Sequence, residues 1–381
     1  MQHWHKVLSA TALASALFSS SVAFAAAQDL NQSHPDRDNG ARAVFVQGND
    51  PSGNQVLAYQ RDRTGALTLS AKFDTGGAGG RVQGSAVDPL ASQGSLVYDA
   101  EHDLLIGVNA GSNSIYAFHV DGSALEDREV LSSGGDFPVS VAVHDDLVYA
   151  LNAGGSGSVQ GYRIEGHHLR PIDDSNRSLG LTPVTGPTMF LNTPGQVGFT
   201  PDGDHLIVTT KANGSHIDVF NVRAGGRLSD SPVANASATP VPFGLAFDPR
   251  GRLVVGEAGT SSVSTYVVHD NGTLTSLGSE SDSQAALCWI DRDGQTYFVA
   301  NAGSGSVSAF RLDASGHPEL IGTTHVGPGT IDLDHSNGGD FLYVQLGGNG
   351  SVGELRVNAD GSLTSIGTVA SSATQEGIIA L

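Results

Sequence analysis

One pattern returns seven times along this chain: an apolar strand, a D/N-G type turn, a second strand, a small-residue turn, a third strand ending in an aromatic residue, then a G-x-L hairpin and a fourth strand. Two stretches show it plainly, LLIGVNAGSNSIYAFHVDGSAL from Leu104 and YFVANAGSGSVSAFRLDASGHPEL from Tyr297. The second strands end at Gly48, Asn109, Asn152, Lys211, Glu257, Asn301 and Leu346, spaced by 61, 43, 59, 46, 44 and 45 residues. Four strands in a period of about 45 residues are the signature of a β-propeller blade. The expected fold is therefore all-β, a seven-bladed β-propeller with four antiparallel strands per blade. Composition agrees: Gly supplies 50 of 381 residues and charged residues only 15%, which leaves too few helix formers for a bundle or a coiled coil.

The two long spacings locate insertions, roughly residues 76–94 and 166–194, both rich in Gly, Pro and Ser and expected as loops. Six inner strands can be read in full: SLVYD from Ser95, SVAVH from Ser140, QVGFT from Gln196, GLAFD from Gly244, LCWID from Leu287 and TIDLD from Thr330. The first blade lacks one, and EGIIAL from Glu376 to Leu381 matches it. The C-terminal strand is thus expected to complete the N-terminal blade, closing the ring and removing open edges. Apolar residues alternate along the inner strands, marking a face packed on the next blade. Cys288, the only cysteine, falls on that face and reads as a buried small hydrophobe.

The first 27 residues differ in kind from the rest. His3, His5 and Lys6 precede an apolar run from Val7 to Phe18, and small residues follow through Ala27. That order is expected of a secretory signal peptide, with 28–42 a linker and 43–381 the propeller, in a protein that is periplasmic or secreted. The apolar run is too short for a permanent membrane span. One cysteine forms no intramolecular disulfide, so the fold depends on its core. A net charge of −20 repels phosphate backbones and anionic lipid, which argues against nucleic acid as a partner. A monomer is expected.

The turns VNAGSNSIYAF and VANAGSGSVSAF, together with GGDFPVSVAVHDDLVYALNAGGSGSVQGYRI from Gly134, resemble the lactonase-type seven-bladed propeller family, which includes bacterial 6-phosphogluconolactonase and 3-carboxymuconate lactonizing enzyme. The resemblance covers the chain from about Ala43. It implies cofactor-independent hydrolysis or formation of a sugar or carboxylated lactone at one mouth of the central channel, and hence a small-molecule lactone or anionic sugar-like ligand. YVTN-type propellers carry almost the same blade phrase, which implies the alternative of a non-catalytic module binding a ligand or protein outside the cytoplasm. Enzymes of the family typically place His directly after the Pro that opens an inner strand. The corresponding positions here are Gly94, Val139, Gly195, Phe243, Ala286, Gly329 and Glu376, so candidate residues are sought in this chain's departures from its own repeat.

Inner strands begin, and second strands end, on the same face of a propeller, so residues at those places converge on one channel mouth. Three of the seven copies carry Asn at the second-strand end (Asn109, Asn152 and Asn301), which suits a left-handed turn residue or a side-chain to backbone bond and can also meet a substrate. Lys211 and Glu257 replace Asn in blades 4 and 5. A Lys and a carboxylate at one mouth can pair, hold an anion, or act as electrophile and general base. Arg81 and Gln83 in the first insertion, with Asp136, Asp282, His325 and Glu376, are expected on the same mouth. Lactone hydrolysis needs a base to activate water and a donor for the oxyanion, so Glu257, Glu376 or His325 is expected to act with Lys211 or Arg81. Inside the channel, Asp332 and Trp289 stand where other inner strands have Val97, Ala142, Gly198 and Ala246. Trp289 reads as a plug, and Asp332 as a ligand-contacting or water-bound carboxyl. Beyond His3 and His5, which flank Trp4 in the expected signal peptide, the histidines show no H-x-H, HExxH or repeated His-carboxylate spacing, and no nucleophile elbow, phosphate loop or dinucleotide fingerprint with its strand-helix context is present. Neither a metal nor another cofactor is expected.

Overall fold

Each copy of the repeat forms its own antiparallel sheet in the computed structural model, which describes residues 42–381. The signal peptide and nearly all of the linker read from the sequence lie outside the described residues. Blade 2 is typical, with strands Leu96–Asp99, Leu104–Asn109, Ser114–Asp121 and Ala124–Ser132 paired in that order. Seven such sheets make a seven-bladed β-propeller. Blade 3 gains a short fifth strand, Arg177–Ser178, which pairs with its third strand Ser158–Glu165. Among the described residues no helix is long and apolar enough to cross a membrane.

The second strands explain the repeat's apolar runs. Leu104–Asn109, Thr296–Asn301 and Phe341–Leu346 are buried at every residue, because each sheet is covered by a blade on both faces and alternation has no solvent side to serve. Fourth strands form the rim and alternate with solvent, as in Leu363–Ala370. Tyrosines stitch neighbouring blades: Tyr116 Oη donates to Gln47 Oε1 at 2.7 Å and Tyr343 Oη to the Gly65 carbonyl at 2.8 Å.

Ring closure follows the expected route. Strand Ile378–Ala380 pairs with Ala43–Gln47 in the register Val44 to Ala380, Phe45 to Ile379 and Val46 to Ile378. Flanking bonds from Gln47 N to Gly377 O (3.0 Å) and Leu381 N to Ala43 O (2.8 Å) extend the pairing. Ile378 is buried in the cluster shared by blades 1 and 7. Ile378→Ala is therefore expected to lower the unfolding free energy by about 3 kcal/mol. Urea unfolding should remain a single transition, and two separated transitions would show blade 1 opening independently of the ring.

The first insertion is a loop, as expected, but not a surface one. Its segment Asp88–Ser95 enters the channel, where it is buried except at half-buried Gly94. Gln93 Nε2 donates to the Ile290 carbonyl at 2.8 Å, and Ile290 N returns a bond to Gln93 Oε1 at 3.0 Å. Ser92 Oγ donates to the Val139 carbonyl on blade 3, and Trp289 Nε1 to the Ser92 carbonyl, at 2.8 and 2.9 Å. The plug assigned to Trp289 is thus chiefly this segment, and the indole buttresses it.

Candidate functional site

The inserted segment turns one channel mouth into a pocket. It meets the second insertion, where Gly186 N donates to Gln83 Oε1 at 2.9 Å and Phe190 N to the Gln83 carbonyl at 3.3 Å. Gly84 takes a φ of +88°, and a Cβ there would lie 2.0 Å from the Pro187 carbonyl oxygen, so only glycine allows the two loops to close. Beneath them is a cavity of about 610 Å³, within the usual range for small-molecule sites. Phe243 and Trp289 lie on its wall with ring centroids 5.0 Å apart, and Val87, Phe190, Leu191 and Val241 add further apolar surface.

Asp88 and Lys211 line this cavity, and Glu376 lies against Asp88. The Lys211 ammonium is buried and donates to three neutral acceptors, the Ala91 carbonyl (2.5 Å), the Phe190 carbonyl (2.6 Å) and Thr193 Oγ1 (2.8 Å). It also sits 5.3 Å from the Phe243 ring centroid. Burial pulls its pKa down to about 8, against the opposing pull of Asp88, the Cys288 thiol and Glu376. Ala91 belongs to the first insertion and Phe190 and Thr193 to the second, so one ammonium ties both loops to blade 4.

Asp88 Oδ1 accepts from Ala91 N at 2.7 Å, and Glu376 Oε2 from Leu90 N at 3.2 Å. The two carboxyls lie against each other, so ionising one disfavours ionising the other. Among the described residues no N–H or hydroxyl donates to Glu376 Oε1. Burial holds both groups above the ordinary carboxylate range, and for Glu376 the charge of Asp88 adds to the effect. Asp332, deeper in the channel, is raised well above its usual value, first by burial and then by Asp334, Asp88 and Asp291. At the far end of the inner strands, Asp291, Asp334 and His335 offer ligand atoms within 4.8 Å of one another. There His335 Nδ1 lies 2.7 Å from Asp291 Oδ2, and that bond with the surrounding aspartates pushes the imidazole up to about 9. An imidazolium already neutralises this cluster from within.

The fold brings together Lys211, Glu376 and Asp332, but it parts Lys211 from Glu257. Strand Leu253–Glu257 ends on Glu257, whereas His205–Thr209 stops two residues before Lys211, which has a left-handed φ of +50°. Glu257 instead points into its own blade, where its carboxylate accepts from Tyr266 Oη and Ser264 Oγ, each at 2.6 Å, and from the hydroxyls of Ser237 and Thr239. Asn109, Asn152 and Asn301 occupy comparable buried knots. Asn109 Oδ1 accepts from Thr75 Oγ1 (2.7 Å), Asn152 Nδ2 donates to the Ser133 carbonyl (2.9 Å) and Asn301 Nδ2 to Ser308 Oγ (3.0 Å). These residues hold strand ends and do not line the cavity. His325 ends the exposed outer strand of blade 6. Arg81 is exposed and clasps the Ser85 and Ala86 carbonyls, shaping the loop, while Gln83 bridges the insertions. Asp136 accepts from Asn113 Nδ2, and Asp282 from Ser308 Oγ. Cys288 does reach the cavity: a bulge between Leu287 and Trp289 interrupts the alternation, and burial pushes its thiol up, leaving it neutral.

Asp88 was not among the residues singled out from the sequence. Its signal was the apolar trio Val82, Val87 and Leu90 inside a stretch otherwise built of Gly, Ala, Pro, Ser and polar residues, since a solvated loop has no use for them. Because Glu257 has a complete set of hydroxyl partners away from the cavity, Glu257→Gln is expected to leave any reaction in the cavity within about twofold of the parent rate. The same change should cost about 1–3 kcal/mol of stability, since an amide cannot accept all four hydroxyls. A tenfold loss of kcat/KM in folded protein would return Glu257 to the site.

Comparison with known proteins sets this geometry in context. Residues 205–330 match the family described as lactonase, seven-bladed β-propeller. A protein from Bacteroides fragilis provisionally named a 6-phosphogluconolactonase superposes with a TM-score of 0.70 at 17% identity, over 91% of this chain and 99% of that one. A protein from Lactobacillus plantarum gives 0.68 at 20% identity, over 90% and 99%. The periplasmic gluconolactonase of Pseudomonas aeruginosa gives 0.67 at 16% identity, over 88% and 98%. No curated protein matches the chain at the level of sequence.

Proposed function

We propose that this chain, a member of the lactonase-type seven-bladed β-propeller family, hydrolyses lactones in the covered channel mouth without a cofactor. The observation that carries the reading is the buried pair of Asp88, on the wall of the cavity, and Glu376 against it, under a cover tied down by Lys211. A carboxyl pair of this kind supplies one ionised and one protonated group side by side. In the reaction Asp88, as carboxylate, takes a proton from water as its oxygen bonds to the lactone carbonyl carbon. The ring C–O bond then breaks, and the proton passes to the leaving alkoxide to give the hydroxy acid. Glu376, raised by burial and by the neighbouring Asp88 charge, stays protonated beside it. Lys211 is a positioning residue, since its three donors are committed to the loops, while its charge favours the ionised form of Asp88.

The pH profile tests this assignment. A base must lose its proton to work, and Asp88 is held above the ordinary Asp value of 3.8, so kcat/KM should rise through a limb displaced upward from that value. It should fall again near pH 8, where Lys211 gives up its proton and releases the loops. A profile flat from pH 4 to 10 after correction for spontaneous hydrolysis would remove Asp88 as the base. Absence of turnover on any lactone by folded protein would favour the ligand-binding alternative.

A further inference from the structure

We infer that the cavity selects an apolar lactone, one carrying an alkyl chain or an aromatic ring, over a polyhydroxylated or anionic sugar lactone. The inference rests on the hydrolysis reading above and narrows it. Six apolar side chains, Val87, Phe190, Leu191, Val241, Phe243 and Trp289, face the space. The polar groups beside it are already committed. Lys211 spends its three protons on Ala91, Phe190 and Thr193, Trp289 Nε1 donates to Ser92, and Ser85 Oγ donates to the Asp88 carbonyl. A sugar lactone would bring several hydroxyls into this space with Asp88 as the principal remaining acceptor, and each buried hydroxyl without a partner is costly. A phosphate or carboxylate fares worse. The guanidinium of Arg81, in the first insertion, is turned to loop carbonyls, and Asp88 would repel the anion. An alkyl chain meets the six apolar side chains, and a cavity of about 610 Å³ has room for one beyond the lactone ring.

The chain offers its own reporter. Its two tryptophans are Trp4 and Trp289, so in the full chain carrying Trp4→Phe the emission comes from the cavity wall alone. δ-Decalactam, which keeps the shape of its lactone but resists hydrolysis, should shift that emission. It should also bind tighter than δ-valerolactam by on the order of 10²–10³-fold, at about fourfold per added methylene. With the lactones, kcat/KM for δ-decalactone should exceed that for glucono-δ-lactone by on the order of 10²-fold, on the same per-methylene scale. Preference for glucono-δ-lactone with no emission change from the lactam would overturn the inference and leave hydrolysis standing. Chain-length-dependent lactam binding without turnover of either lactone would support apolar selection and remove hydrolysis. Neither binding nor turnover would overturn both.

Discussion

Asp88→Asn is expected to lower kcat/KM for lactone hydrolysis by about 10²–10⁴ while leaving the protein at least as stable as the parent. The amide oxygen can keep the 2.7 Å bond from Ala91 N and the turn it closes, so the inserted segment stays in place. What disappears is a group able to take a proton. Stability should respond oppositely to activity because burial holds the Asp88 and Glu376 carboxyls above their unfolded values of 3.8 and 4.5. A carboxyl with a raised folded pKa binds more protons folded than unfolded, so its pair loses stability as pH rises through that window. Removing one member relieves part of the loss. Urea midpoints measured in acid and at neutral pH should therefore fall less between the two for Asp88→Asn than for the parent. A variant that kept full activity would place the chemistry elsewhere.

Lys211→Met carries the second large effect, an expected loss of about 3–5 kcal/mol, the usual range when one partner is taken from a buried charged arrangement. Methionine fills much of the same space but leaves the Ala91 and Phe190 carbonyls and the Thr193 hydroxyl without their shared donor. The two insertions then lose the donor they share and keep bonds such as Gly186 N to Gln83 Oε1. Limited proteolysis should show the change first in residues 180–188, where the second insertion is largely exposed. If residual turnover survives, its alkaline limb near pH 8 should vanish with the group that titrates there. Unchanged proteolysis together with an unchanged urea midpoint would show that Lys211 does not tie the loops.

The propeller was legible because its information is periodic. Seven copies of one strand pattern specify seven sheets, and the missing inner strand of the first copy points directly to Glu376–Leu381 as its substitute. The site was legible only in part because it is made of exceptions. Aligning repeats by the ends of their second strands equates Lys211 with Glu257, yet two residues of difference in where the strands stop send one side chain into the cavity and the other into its own blade. Cys288 falls on the packing face by alternation, but one bulge carries it to the cavity wall. The inserted segment was harder still. It is held by contacts such as the pair of hydrogen bonds between Gln93 and Ile290, nearly 200 residues away, and no period in the sequence announces a bond of that kind.

The pairing that closes the ring also decides how the molecule responds to tension. Val44 lies opposite Ala380 and Val46 opposite Ile378, so the two strands run antiparallel with Ala43 and Leu381 side by side at one end. A load applied through these two residues meets the bonds in series, beginning with Leu381 N to the Ala43 carbonyl, and peels the strand away like a zipper. Six of the seven sheets are continuous in the chain, and the seventh, assembled from both its ends, is the seam at which the disc yields first.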